Sequence, residues 1–164
     1  MLKLFGSLLI IFAFGILGFS KSENLRKRSE NLLRITASLT LLENEISYGQ
    51  KGIRDALMSI GNIKNLPLFT AVSENIGILP MQKVFSDAIS KHDLKLSEAD
   101  NLTLLEFSQN LGALDTDAQI KSILHTKELL KNAQAEAYEE YKKYGRLYRN
   151  IGFLLGILFS LILF

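Results

Sequence analysis

Two runs without a charged side chain, 4–19 and 151–164, stand at opposite ends of the chain, and every charge except that of Lys3 falls between them. Beyond the first run, Leu25, Leu32, Ile35, Leu39, Leu42 and Ile46 recur at the spacing of one helix face. No breaker interrupts them before Gly49, so run and stripe together predict a single helix over about 2–48. From Gly49 to Gly112 the punctuation is dense: Gly52, Gly61-Asn62, Asn65-Leu66-Pro67, Gly77 and Pro80 cut the stretch into short pieces. Each piece keeps its own apolar set: Ile53/Leu57/Ile60, then Leu68/Phe69/Val72/Ile76, then Met81/Val84/Phe85/Ile89. Ser97 reads as the N-cap of a fourth piece, carrying Leu102, Leu105 and Leu111 and closed by Gly112. Helices this short are marginal alone and must pack on something longer.

The last helix supplies that support. Asp115 is its natural N-cap, with Asp117 in the first turn favoured by the helix dipole. Ile120, Leu124, Leu130, Ala133, Ala137, Tyr141, Tyr144 and Tyr148 then keep one face apolar or aromatic. The charged parts of the two long helices, 21–48 and 117–148, come to about 42 and 48 Å at the usual rise, a match for an antiparallel pair. The pattern predicts an all-α fold, a six-helix bundle built on two long antiparallel helices that continue into N- and C-terminal transmembrane segments. The expected segments are 1–20, a helical domain 21–149, and 150–164.

Each end admits two readings. The run 4–19 behind Lys3 fits a secretory signal peptide or a retained anchor; its length and the poor cleavage site at Gly18-Phe19-Ser20-Lys21 favour the anchor. The run 151–164 is about 21 Å of helix, short of a hydrocarbon core of about 30 Å. It spans if Leu147 and Tyr148 join it and Arg149 snorkels to the headgroups; otherwise it dips into one leaflet. Arg26, Lys27 and Arg28, with Lys21 and Arg34, follow the first run, while Lys142, Lys143, Arg146 and Arg149 precede the second. The positive-inside rule then puts the central domain in the cytoplasm.

Composition narrows the chemistry. Outside Lys3 the basic and acidic residues nearly cancel, with a formal charge of +2 for the whole chain, which argues against nucleic acid as a partner. No cysteine occurs, so disulfides, thiolate metal sites and a cysteine nucleophile are excluded. His92 and His125 are in no ligand spacing, and His125 reads as a surface or half-buried residue. Glu43 and Glu45 point to different helix faces and read as solvated surface. No phosphate loop, G-x-S-x-G or H-E-x-x-H occurs. The expectation is a protein with no catalytic residue, no metal and no cofactor.

Two patterns speak for assembly and membrane placement instead. Gly152, Gly156 and Ser160, four apart, form a small-residue ridge that lets another helix approach closely. Its partner is either the first run, which offers Gly15 and Gly18, or another protein. Tyr138, Tyr141, Tyr144 and Tyr148 lie on one side of the last helix; the first two read as core, while Tyr144 and Tyr148 fit a membrane-interface belt.

Several local runs resemble one family. Leu41-Leu42-Glu43-Asn44-Glu45-Ile46-Ser47-Tyr48-Gly49 closes the first long helix, and Leu111-Gly112-Ala113-Leu114-Asp115-Thr116-Asp117-Ala118-Gln119 opens the last. Tyr141-Lys142-Lys143-Tyr144-Gly145-Arg146-Leu147-Tyr148-Arg149-Asn150-Ile151-Gly152 leads into the glycine-spaced run. With the Met-Leu-Lys-Leu start, they make the whole chain resemble the stage III sporulation protein AB family. One departure is Lys51-Gly52-Ile53, where that family often has a Thr-Pro-Leu-like helix entry. The resemblance implies a non-enzymatic component of the channel that joins mother cell and forespore, seated in the mother-cell membrane that engulfs the forespore. It also implies a soluble domain similar to the cytoplasmic domains of type II secretion and type IV pilus platform proteins. The partners so implied are a secretion-type ATPase, other channel membrane proteins and membrane lipids; no catalytic residue carries over, because the family has none. The competing expectation is a structural scaffold between the two membranes with no ATPase contact, which needs the opposite topology.

Overall fold

The computed structural model describes residues 2–48, 52–64, 66–113 and 115–163. Gly49, Lys51, Asn65 and Leu114, on which a helix end, a family departure, a turn and part of a quoted run were placed above, lie outside them. Among the described residues six α-helices follow in chain order: α1 Leu2–Tyr48, α2 Ile53–Lys64, α3 Pro67–Asn75, α4 Met81–Lys91, α5 Glu98–Asn110 and α6 Thr116–Leu163. The all-α, six-helix architecture with two long helices is as the pattern predicts. The chain divides into two compact units, Glu30–Gln134 and Met1–Ser29 with Ala135–Phe164. The divisions read from hydropathy, near residues 20 and 150, therefore fall within the second unit.

In Glu30–Gln134, α2, α3, α4 and α5 pack each on the next, and α1 pairs with α6, tied by Lys127 Nζ donating to Glu43 at 2.6 Å. Glu43 is thus ion-paired and only part-exposed, not solvated surface. The core is aliphatic and aromatic: Leu32, Ile35, Leu39 and Leu42 from α1 and Ile123 and Leu130 from α6 are buried, as are Phe69, Phe85 and Phe107 from the short helices. Phe85 and Phe107 meet edge-to-face with ring centroids 6.1 Å apart. Each such ring contributes about 2 kcal/mol or more by burial.

Local sequence explains the joints. Gly61 has no Cβ because one would lie 2.8 Å from the Thr70 backbone nitrogen, so α2 and α3 approach to backbone contact there. Arg54 donates to the Ile76 carbonyl beyond α3, and Gly77 turns the chain with φ +83°. Asn31 donates to the Leu94 carbonyl at 2.8 Å, fixing the connection that precedes α5. Ser97 caps α5 as predicted, and Asp100 completes a reciprocal pair: Ser97 N donates to Asp100 at 2.8 Å and Asp100 N to Ser97 Oγ at 3.2 Å. Gly112, at φ +80°, ends that helix. Asp115 caps α6 by accepting from Ala118 N at 2.8 Å.

Two apolar faces differ from the expected ones. On α5, Leu104 and Phe107 are buried while Leu102 is exposed. On α6, Ile123 is buried and Leu124 is exposed, a phase error of one residue. Polar residues cause it: Gln119 and Thr126 share the buried stripe with Ile123 and Leu130, and an apolar-only pattern passes over them.

Candidate membrane-helix interface

The unit Met1–Ser29 with Ala135–Phe164 pairs the first part of α1 with the last part of α6, antiparallel. A Cβ on Gly152 would lie 2.6 Å from the Phe14 carbonyl oxygen and 2.9 Å from Gly18 Cα. One on Gly156 would lie 2.8 Å from Ile11 Cα, and one on Gly18 would run into the Tyr148 carbonyl. No real Cβ tolerates such distances, so Gly18, Gly152 and Gly156 are the residues that let the two backbones touch. Ser160 is buried further along the same row, and the Phe14 and Phe159 rings stack with centroids 5.1 Å apart. The ridge on α6 is thus occupied by α1 of the same chain.

Gly15 departs from its expected place in that packing. Nothing lies within 4 Å of a Cβ built on it; it lines an open apolar groove with Leu8, Phe12, Phe19 and Phe153. The difference is helical phase. Gly15 and Gly18 are three apart, about 300° of rotation, and the contact row takes Gly18, Phe14 and Ile11 instead.

Toward the charged end the seam turns polar. Ser22 is buried and sits 3.2 Å from where a Gly145 Cβ would be, and Ser29 is buried one heptad on. Sequence reasoning missed both serines; their signal is the spacing Gly18, Ser22, Leu25, Ser29, Leu32, a run of three- and four-residue steps. The flanking cations are held differently. Arg26 bonds Glu23 through Nε at 2.9 Å and a second nitrogen at 2.5 Å. That hydrogen bond, with the positive charges of Arg26 and Lys27, holds the Glu23 carboxyl below its ordinary value against an opposing effect of burial. Arg28 reaches Glu140 at 3.3 Å, and Lys27 is exposed. Lys142 approaches Glu139 only to 3.9 Å, and Lys143 stands over the Tyr144 ring at 4.9 Å. Arg146 and Arg149 are exposed.

Of the tyrosines, Tyr144 and Tyr148 are half-buried with centroids 6.4 Å apart. Tyr138 is 50% exposed, so it is not a core residue as expected; Tyr141 is half-buried beside Gly145. Among the described residues no cluster of histidines and carboxylates could hold a metal ion, and His125 is exposed.

What is assembled here is a close-packed helix pair with its apolar side chains turned outward. Phe5, Leu8, Leu9, Phe12 and Leu17 on α1, and Leu154, Leu158 and Leu161 on α6, are all exposed. Both helices are long and apolar enough to cross a membrane. These are the features of an all-helical protein whose apolar helix ends have the length and composition to suit a membrane. The chain belongs to the stage III sporulation protein AB family, whose pattern matches residues 3–164. It is 28% identical over 170 residues to the stage III sporulation protein AB of Bacillus subtilis (strain 168), covering 99% of each chain. A solved structure of a stage III sporulation protein AB (SpoIIIAB) has the same fold, with a TM-score of 0.60 at 24% identity over 70% of this chain and 96% of that one.

Proposed function

We propose that this sporulation protein is a non-enzymatic membrane platform of the mother cell–forespore channel. Its helical domain faces the cytoplasm and anchors a secretion-type ATPase, beside other channel membrane proteins. The observation that carries the membrane part is the outward apolar surface of the close-packed helix pair, which water would not tolerate at that density. The cytoplasmic part rests on nine basic residues gathered on the domain side of the two apolar runs, including Arg26, Lys27, Lys142 and Arg146. The ATPase follows from the family's resemblance to secretion platforms.

The absence of native cysteine gives a clean test. Gln82, exposed on α4, is replaced by cysteine and intact sporulating cells are treated with a membrane-impermeant maleimide. Labelling only after permeabilisation is expected, followed by co-purification of the ATPase with the full chain. Labelling in intact cells would place the domain outside and leave the intermembrane scaffold. A cytoplasmic domain that never retains the ATPase would remove the platform role alone.

A further inference from the structure

Just before its apolar run, α6 presents an open groove of about 410 Å³ lined by Tyr138, Tyr141, Lys142, Arg146 and Arg149. These positions share one side of the helix. Three cations and two phenols line the groove and no carboxylate does. The acids nearest in sequence are engaged elsewhere or weakly: Glu140 accepts from Arg28, and Glu139 lies 3.9 Å from Lys142 in an exposed pair. No Asp or Glu follows Glu140. Arg146 and Arg149 make no ion pair among the described residues, and like charges three apart on a helix repel. Arg149 stands about 3 Å of helix rise before Ile151 and Arg146 about 7.5 Å, the level at which headgroup phosphates lie above a span that starts there.

We propose that this groove binds the headgroup of an anionic phospholipid. The phosphodiester is held between the guanidinium forks of Arg146 and Arg149, whose planar donors match phosphate oxygens. Lys142 adds a point charge, and the Tyr138 and Tyr141 hydroxyls supply neutral donors on the same side. A filled groove relieves the arginine repulsion and fixes how deep α6 sits. The site rests on the reading of 151–163 as membrane-inserted, shared with the proposed function.

The test uses the full chain reconstituted in phosphatidylcholine vesicles containing spin-labelled phosphatidylglycerol or, separately, spin-labelled phosphatidylcholine. The readout is the motionally restricted fraction of each label. The wild-type chain is expected to prefer phosphatidylglycerol by about fivefold or more, the factor that one basic side chain contributes at a membrane surface. R146Q/R149Q brings the two labels to parity, R146K/R149K falls between, and K27Q, a charge removed on the other helix, leaves the preference unchanged. Inorganic phosphate at fixed ionic strength does not displace the lipid. Parity in the wild type, an equal loss in K27Q, or displacement by inorganic phosphate would each overturn the site. Failure of the wild-type chain to float with the vesicles would overturn the membrane reading as well, which separates the two failures.

Discussion

Leu32 and Leu9 are on the same helix, yet Leu32 is 0% exposed and Leu9 is 65% exposed. The contrast runs through both units. In Glu30–Gln134 the large apolar side chains point inward and Phe69, Phe85 and Phe107 fill the centre. In the other unit the buried positions belong to Gly18, Ser22, Gly152, Gly156 and Ser160, and apart from the Phe14–Phe159 stack most of the large leucines and phenylalanines point out. The first arrangement follows from water: burying apolar area is the main favourable term. The second is the arrangement favoured where the surroundings are as apolar as leucine and helices gain from backbone-to-backbone contact instead. On the membrane reading proposed above, one chain obeys two solvents, and substitutions should separate them.

The largest effect is expected in the water-driven core. Phe85→Ala, which removes a fully buried ring and its edge-to-face partner at Phe107, should cost about 3–5 kcal/mol, read as a lowered midpoint in denaturant-monitored loss of helix. An unchanged midpoint would mean that this unit is not held by its core. Next comes the close-packed pair. Gly152→Leu forces the backbones apart at Phe14 and Gly18 and should cost about 1–3 kcal/mol, whereas Gly15→Leu, with open space around it, should cost nothing measurable. Short-span cross-linking of F14C with F159C reports it: the yield should fall in the Gly152 variant and hold in the Gly15 variant. Equal yields in both would sink the backbone-contact account.

Caps give a smaller effect, in Glu30–Gln134 alone. Ser97→Ala removes one half of the Ser97–Asp100 reciprocal pair and should lower stability by about 1 kcal/mol, measured by the same denaturant midpoint. The smallest expected effect lies beside the other unit's polar end. Because Arg26 holds the Glu23 carboxyl below its ordinary value, this group stabilises the fold above the ordinary carboxylate range. The contribution is lost as pH falls through its lowered folded value. The stability difference between wild type and E23Q should therefore be present at neutral pH and vanish in acid. A difference that persists in acid would point away from the ion pair.

Much of this was legible in the sequence, for physical reasons that can be named. The two long helices and the short ones between them follow from uninterrupted helical spacing and from Gly and Pro at each joint. Ser97, Gly112 and Asp115 cap or end the helices where their chemistry says they should. What stayed hidden is which residues face inward wherever the inward residue is not apolar. Ser22, Ser29, Ser38 and Gln119 are buried, and a search for apolar stripes puts Leu124 in the core instead of Ile123. The same blind spot misplaced Gly15, whose small size fits a ridge but whose helical phase does not, and Tyr138, whose ring reads as core but lines a basic groove.

Spin labels on the full chain in bilayer vesicles report whether one unit sits in lipid and the other in water. Cysteines replacing Leu9, Leu154 and Glu128, all exposed, carry the labels. Collision with oxygen should exceed collision with a water-soluble nickel chelate at positions 9 and 154, with the reverse at 128. Nickel dominance at all three positions would mean that neither unit sits in lipid.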